Sequence, residues 1–193
     1  MLAITNGKIY TMTGKVFDKG TLLIKEGKIL EVGQEIAIPQ DAKVVDAGGK
    51  YVFPGFIDAH SHIGIFEEAV GEIGEEGNEW TEPVTPQLRA IDAINPADKA
   101  FEDAVMGGIT CVFTGPGSAN VIGGQSVVMK TYGKIIDHMV VKEPAGLKVA
   151  FGENPKRVYG DQKKMPATRM ATAALLREAL VEAQNYKAKR EKS

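Results

Sequence analysis

Residues 51–62 read Tyr-Val-Phe-Pro-Gly-Phe-Ile-Asp-Ala-His-Ser-His, and this stretch constrains the chain more than any other. An apolar run that ends in "FIDAHSH" predicts a buried strand whose tip emerges at an edge. Two of the chain's three histidines, His60 and His62, stand at i and i+2 on that tip. In a strand such residues share a face, with Cα atoms roughly 6.6 Å apart. Both imidazoles can then converge on one ion at about 2.0–2.1 Å, while Ser61 points the other way. Asp58 has the same parity one step deeper, where a carboxylate can orient a ligand imidazole. The competing reading is a pair of ordinary strand-end histidines bonded to their neighbours.

Upstream of this strand the chain has the pattern of a small antiparallel sheet. "LAITNGKIYTMTG", "GTLLIKEGKILEVG" and "AKVVDAGGKYVFPG" are β-prone runs. They are punctuated by Asn6-Gly7, Glu26-Gly27 and Gly48-Gly49, each suited to a tight turn. Residues 1–50 are therefore expected to form one β segment, and residues 51–193 a separate α/β region. In that region "NPADKAFEDAVMGG" predicts a helix with Asn95 as N-cap and Gly107-Gly108 as its stop. "ITCVFTGPG" predicts a strand covered on both faces, and "HMVVKEPAGLKVAFGEN" one or two more. The segment from Met165 onward predicts an amphipathic helix with Ala173, Leu176, Leu180 and Ala183 on one face. The order β, helix, β, β, helix predicts parallel βα units. Three or four such strands are too few to close a barrel, so the expectation is the first half of a longer protein.

These motifs resemble the amidohydrolase superfamily. "VDAGGKYVFPGFIDAHSH" is similar to its signature, and "GITCVFTGPGSANVIGGQ" and "KVAFGENPKRVYGDQKKMPATRM" resemble the imidazolonepropionase-like subgroup. The resemblance implies the N-terminal portion of a metal-dependent (β/α)8 TIM barrel preceded by a small β-sandwich segment. It implies hydrolysis of amide or other C–N bonds, often in rings, with one or two divalent ions, most often zinc. His60 and His62 then become metal ligands, and Glu153, before Asn154-Pro155, the bridging acid; Lys148 is the alternative bridge. The family's remaining histidines and its catalytic aspartate have no counterpart here, so this polypeptide alone is expected to be inactive.

Further candidates are polar residues of the glycine-rich "GPGSANVIGGQ", where Ser118, Asn120 and Gln125 would contact a small-molecule substrate; a structural turn is the alternative. Seven glutamates between Glu67 and Glu82, with no Lys or Arg among them, suggest either an active-site lid or a solvated, mobile insertion. Cys111, the single cysteine, reads as a core thiol and agrees with a reducing, cytoplasmic setting. A formal net charge of −2 gives no footprint for nucleic acid or an anionic membrane, and no apolar stretch approaches a membrane span. An incomplete barrel is expected to self-associate or form a homo-oligomer through exposed strand edges. The competing functions are a non-catalytic scaffold that keeps the fold, and a dipeptidase- or prolidase-like metallopeptidase.

Overall fold

The computed structural model describes residues 1–192, which fall into two units, Met1–Phe56 and a second that begins at Ile57. The first holds β1 (Leu2–Tyr10), β2 (Val16–Lys25), β3 (Lys28–Gly33), β4 (Lys43–Asp46) and β5 (Tyr51–Val52). Their order is β3-β2-β1-β4, with β5 also beside β1. The β1–β2 and β2–β3 pairs are antiparallel, as the sequence predicts. Glu26-Gly27 makes the tight β2–β3 turn with φ of 52° and 74°. Two expectations fail. β4 and β5 run parallel to β1, so the sheet is mixed. Asn6-Gly7 is no turn but lies inside β1 at a break in register, with Asn6 at φ 54°. A Cβ on Gly7 would come within 2.7 Å of Val52, so the glycine there serves close approach within a bulge.

The second unit contains β6 (Phe56–Ser61), which begins at the boundary, then α1 (Lys99–Met106), β7 (Ile109–Thr114) and β8 (Ile122–Lys130). These are followed by α2 (Ile136–Met139), β9 (Val140–Val149), α3 (Glu153–Asp161) and α4 (Arg169–Glu191). The sheet order is β6-β7-β8-β9. Here the parallel βα expectation is corrected: β7–β8 and β8–β9 are antiparallel. The reason lies in the connections. Residues 115–121 and 131–139 are too short for the dozen or so residues a parallel crossover needs. β8 itself is concealed in the sequence by Gly123 and Gly124. The backbone of residues 84–89 lies along this strand, with Thr85 N–H on Ile122 O at 2.8 Å and Gln125 N–H on Leu88 O at 2.7 Å. A Cβ on Gly124 would meet Leu88 O at 2.6 Å. Glycine in this strand marks close backbone approach.

The core of this unit joins Ile65, Ala90, Ile94, Phe101, Val112, Val127, Met129 and Met139. Cys111 is a free, buried thiol within β7, as expected. α1 is shorter than predicted and its cap is Asp98, whose side chain accepts from Ala100 N–H; Asn95 instead closes the preceding turn through Ala97 N–H. Gly107 and Gly108 stop it as the sequence indicates. α4 forms, capped by Thr168, but only Thr172 is buried along it. Leu176 of the predicted face is half-buried, while Leu180, with Val181 and Tyr186, lies open to solvent. None of the described helices is long and apolar enough to cross a membrane.

Candidate functional site

β6 forms one edge of the four-stranded sheet, and contrary to the buried strand expected from sequence its residues Phe56 and Ile57 are exposed, Ile57 at 72%. The strand does carry the two histidines to its end. The rings of His60 and His62 lie 5.4 Å apart, centroid to centroid, at 83° to one another. His60 is exposed and His62 half-buried, its ring edge-on to Phe66 at 5.3 Å. His62 Nδ1 stands 2.7 Å from the carbonyl oxygen of Gly115, just past the end of β7. A carbonyl only accepts, so Nδ1 carries the proton and Nε2 keeps its lone pair free. This is the arrangement by which a ligand imidazole is usually oriented.

Asp58 has a different partner from the one anticipated. Its carboxylate accepts the backbone N–H of His60 at 3.0 Å, so the contact it makes is with the strand backbone. Ser61 Oγ is buried without a hydrogen-bond partner.

Glu153 does not join the histidines. The segment after β9 turns into α3 rather than ending as a strand tip, because Gly152 breaks the extended chain and Asn154-Pro155 fit a helix's first turn. The Glu153 side chain is 86% exposed and pairs with Lys156 at 2.8 Å. The Lys156 ammonium holds its carboxyl below the usual range. Lys148 lies within β9 opposite Gly124. No group of three or more His, Cys, Asp or Glu side chains able to hold a metal occurs among the described residues. The donors present fit a divalent ion in kind, two imidazoles from one strand end with one of them oriented by a carbonyl. They fall short of a closed set in number.

The glycine-rich segment after β7 divides its three candidates. Asn120 is wholly buried, and its Nδ2 donates to Glu79 O at 2.8 Å and Glu82 O at 2.7 Å. Gln125 sits on β8 with its amide on Pro86 O at 3.0 Å, and Ser118 Oγ accepts from Asn154 at 2.9 Å. Asn120 is thereby a structural bolt rather than a surface for ligand, the turn-like alternative of the sequence reading.

The glutamate-rich stretch is folded down, not a loose insertion. Phe66 bridges Glu75, and Glu76 N–H donates to Ile65 O at 2.9 Å. Asn95 Nδ2 holds Glu67 at 2.5 Å, and Gly117 N–H reaches Gly77 O at 2.8 Å. Glu79 is held below the usual carboxylate range by the hydroxyl and N–H of Thr81. Sequence reasoning passed over Tyr159 and Asp98, both decisive here. Asp98 was legible as an Asp directly before a helical pattern. Tyr159 offered only a buried position on a short helix, with no sign of its partners.

No family model matches the chain. Among curated proteins it is 32% identical over 174 residues to "Amidohydrolase tasK" of Hapsidospora irregularis, covering 83% of this chain and 18% of that protein. It is 32% identical over 121 residues to "Dihydroorotase" of Anaeromyxobacter dehalogenans (strain 2CP-C), covering 63% of this chain and 23% of that protein. A crystal structure of "amidohydrolase from Thermotoga maritima MSB8" matches with a TM-score of 0.94 at 50% identity, over 99% of this chain and 49% of that one. The chain thus spans about a fifth of the length of these curated relatives and about half of the solved structure.

Proposed function

Because this chain belongs to the amidohydrolase superfamily, we propose that it contributes two metal ligands, His60 and His62, to a hydrolase of amide or other C–N bonds. Small-molecule substrates, cyclic amides among them, fit this reading. The observation that carries it is the His62 Nδ1–H bond to Gly115 O, which leaves Nε2 free on a ring whose centroid lies 5.4 Å from that of His60. The complete catalytic body in this reading is a metal-dependent (β/α)8 barrel, and the ion is zinc. Bound zinc supplies Lewis acidity toward a carbonyl oxygen and a hydroxide-like water near neutral pH. The chain's own residues hold and orient: Gly115 O fixes the His62 tautomer, and Asp58 fixes the strand backbone at His60. No group of three or more His, Cys, Asp or Glu able to hold a metal occurs among the described residues, so in this reading the polypeptide alone binds metal without turnover. Ser118 serves as a substrate contact at the rim, and the buried Cys111 thiol accords with a cytoplasmic setting.

The short donor set favours one second reading, a scaffold that keeps the fold without the chemistry. Zinc content after equilibrium dialysis separates the two. Near-stoichiometric zinc, lost in His60→Ala and His62→Ala but retained in His138→Ala, supports the hydrolase reading. Metal-free protein whose stability is indifferent to chelator sinks it. Cyclic amides against dipeptides, assayed on a chain extended to the length of the solved relative, divide an amidohydrolase from a dipeptidase- or prolidase-like metallopeptidase.

A further inference from the structure

The Gly115 carbonyl that orients His62 belongs to a segment with no regular structure, residues 115–121, so something must hold it in place. Gly115 N–H itself donates to Ser61 O at 3.4 Å and Asn154 Nδ2 to Ser118 Oγ at 2.9 Å, and three further ties come from the glutamate-rich stretch. Gly117 N–H donates to Gly77 O at 2.8 Å. Ala119 N–H donates to Asn78 Oδ1 at 3.0 Å, and the Asn78 side chain fills the space a Cβ on Gly117 would occupy. Asn120 Nδ2 donates to Glu79 O and Glu82 O at 2.8 and 2.7 Å.

Tyr159, fully buried on α3, locks the last tie. Its hydroxyl stands 2.7 Å from Glu79 O, 2.8 Å from Glu82 O and 3.1 Å from Asn120 Nδ2. It has one proton for the two carbonyls, and the Asn120 amide uses both of its own on the same pair. The two side chains close a four-centre clamp that joins α3, the 115–121 segment and the 77–82 segment. Asn120 cannot be turned about, since its oxygen would then face two carbonyls. Held this way, its Oδ1 is buried without a partner. A native fold keeps such a cost where a fixed orientation matters.

We propose that Tyr159, Asn120 and Asn78 are positioning residues for His62, which act together with the Gly115 N–H bond to Ser61 O on the histidine strand to set the Gly115 carbonyl and through it the imidazole tautomer. The proposal deepens the metal-site reading and rests on it for its consequence, zinc affinity. The geometric part concerns the apo protein alone. Loss of a partner that orients a ligand imidazole weakens metal binding about 10–100-fold.

The test uses Tyr159→Phe, which keeps the buried ring and deletes the hydroxyl, with Asn78→Ala and Asn78→Asp as an independent pair. Nitrogen-15 NMR of the imidazoles in metal-free protein, above pH 8, reads the tautomer directly. Wild-type His62 is expected as Nδ1–H, and Tyr159→Phe and Asn78→Ala are expected to shift it toward Nε2–H, with His60 and His138 unchanged. Asn78→Asp, which keeps the accepting oxygen, is expected to restore the wild-type pattern. Competition for zinc against a chromophoric chelator should show the 10–100-fold loss in the first two variants. Variants with lower melting temperatures but an unchanged His62 tautomer would overturn the positioning role. Wild-type protein that shows the Nδ1–H tautomer and its shift, yet takes up no zinc, would uphold the positioning and sink the metal reading.

Discussion

The carboxylate of Asp98 accepts the backbone N–H of Gly64 at 3.1 Å, joining the chain just past His62 to the start of α1. The same buried carboxylate accepts Glu68 N–H at 3.0 Å and caps α1 through Ala100 N–H at 3.1 Å. One side chain therefore satisfies three backbone donors and fixes the exit of the histidine strand.

Replacing Asp98 by Ala removes the acceptor of all three donors and leaves the Gly64 N–H buried without a partner. Each is worth about 1 kcal/mol and a lost cap about as much, so the expected destabilisation is about 2–4 kcal/mol. Asp98→Asn, which keeps one accepting oxygen, is expected to lose about half of that. Urea midpoints at constant m-value measure both.

Tyr159 makes stability fall in alkali. Burial, with the nearby Glu79 and Glu82 charges, raises its pKa from 10.0 to about 12. A folded-state value above the unfolded one means the contribution is full below pH 10 and is lost as pH rises toward 12. The expected loss is about 2–3 kcal/mol for a two-unit shift. Tyr159→Phe is expected to be less stable at pH 7 and to lack this component of the pH 10–12 decline, a difference readable from denaturation at stepped pH.

Gly124→Ala and Gly152→Ala should differ sharply. Gly124 has φ of 122°, and its added Cβ would press on Leu88 O at 2.6 Å, against backbone that cannot yield cheaply. A loss of about 2–4 kcal/mol is expected, with residues 84–89 displaced from β8. Gly152, which caps α3, has φ of −88° and open space, so alanine there meets no clash and is expected to cost no more than about 1 kcal/mol. Thermal melts of the two variants side by side decide it.

Exposed apolar positions predict association of this polypeptide when it stands alone. Ile57 on the β6 edge, Val141 and Leu147 on β9 and Leu180 on α4 are all open to solvent. Light scattering across a hundredfold concentration range is expected to show rising mass, reduced in Ile57→Lys, since charge on a strand edge blocks pairing. A monomer at every concentration would count against it.

The sequence by itself determined the elements whose cause is local. Glu26-Gly27 had to turn because both residues take positive φ, Gly107-Gly108 had to stop α1, and alternation along "FIDAHSH" had to bring two imidazoles to one strand end. Only the tertiary structure decided what depends on segments far apart in the chain. Strand direction across β7, β8 and β9 followed from short connections, and β8 stayed hidden because its glycines answer to the backbone of residues 84–89 lying against it. Glu153, well placed at a strand tip by its neighbours, went to a helix start and a lysine partner. Asn120, a ligand contact by composition, became a bolt through Tyr159 across 39 residues. A residue's conformation is set by its neighbours, but its partner is chosen by packing, and no local pattern encodes a carbonyl 53 positions away from the imidazole it orients.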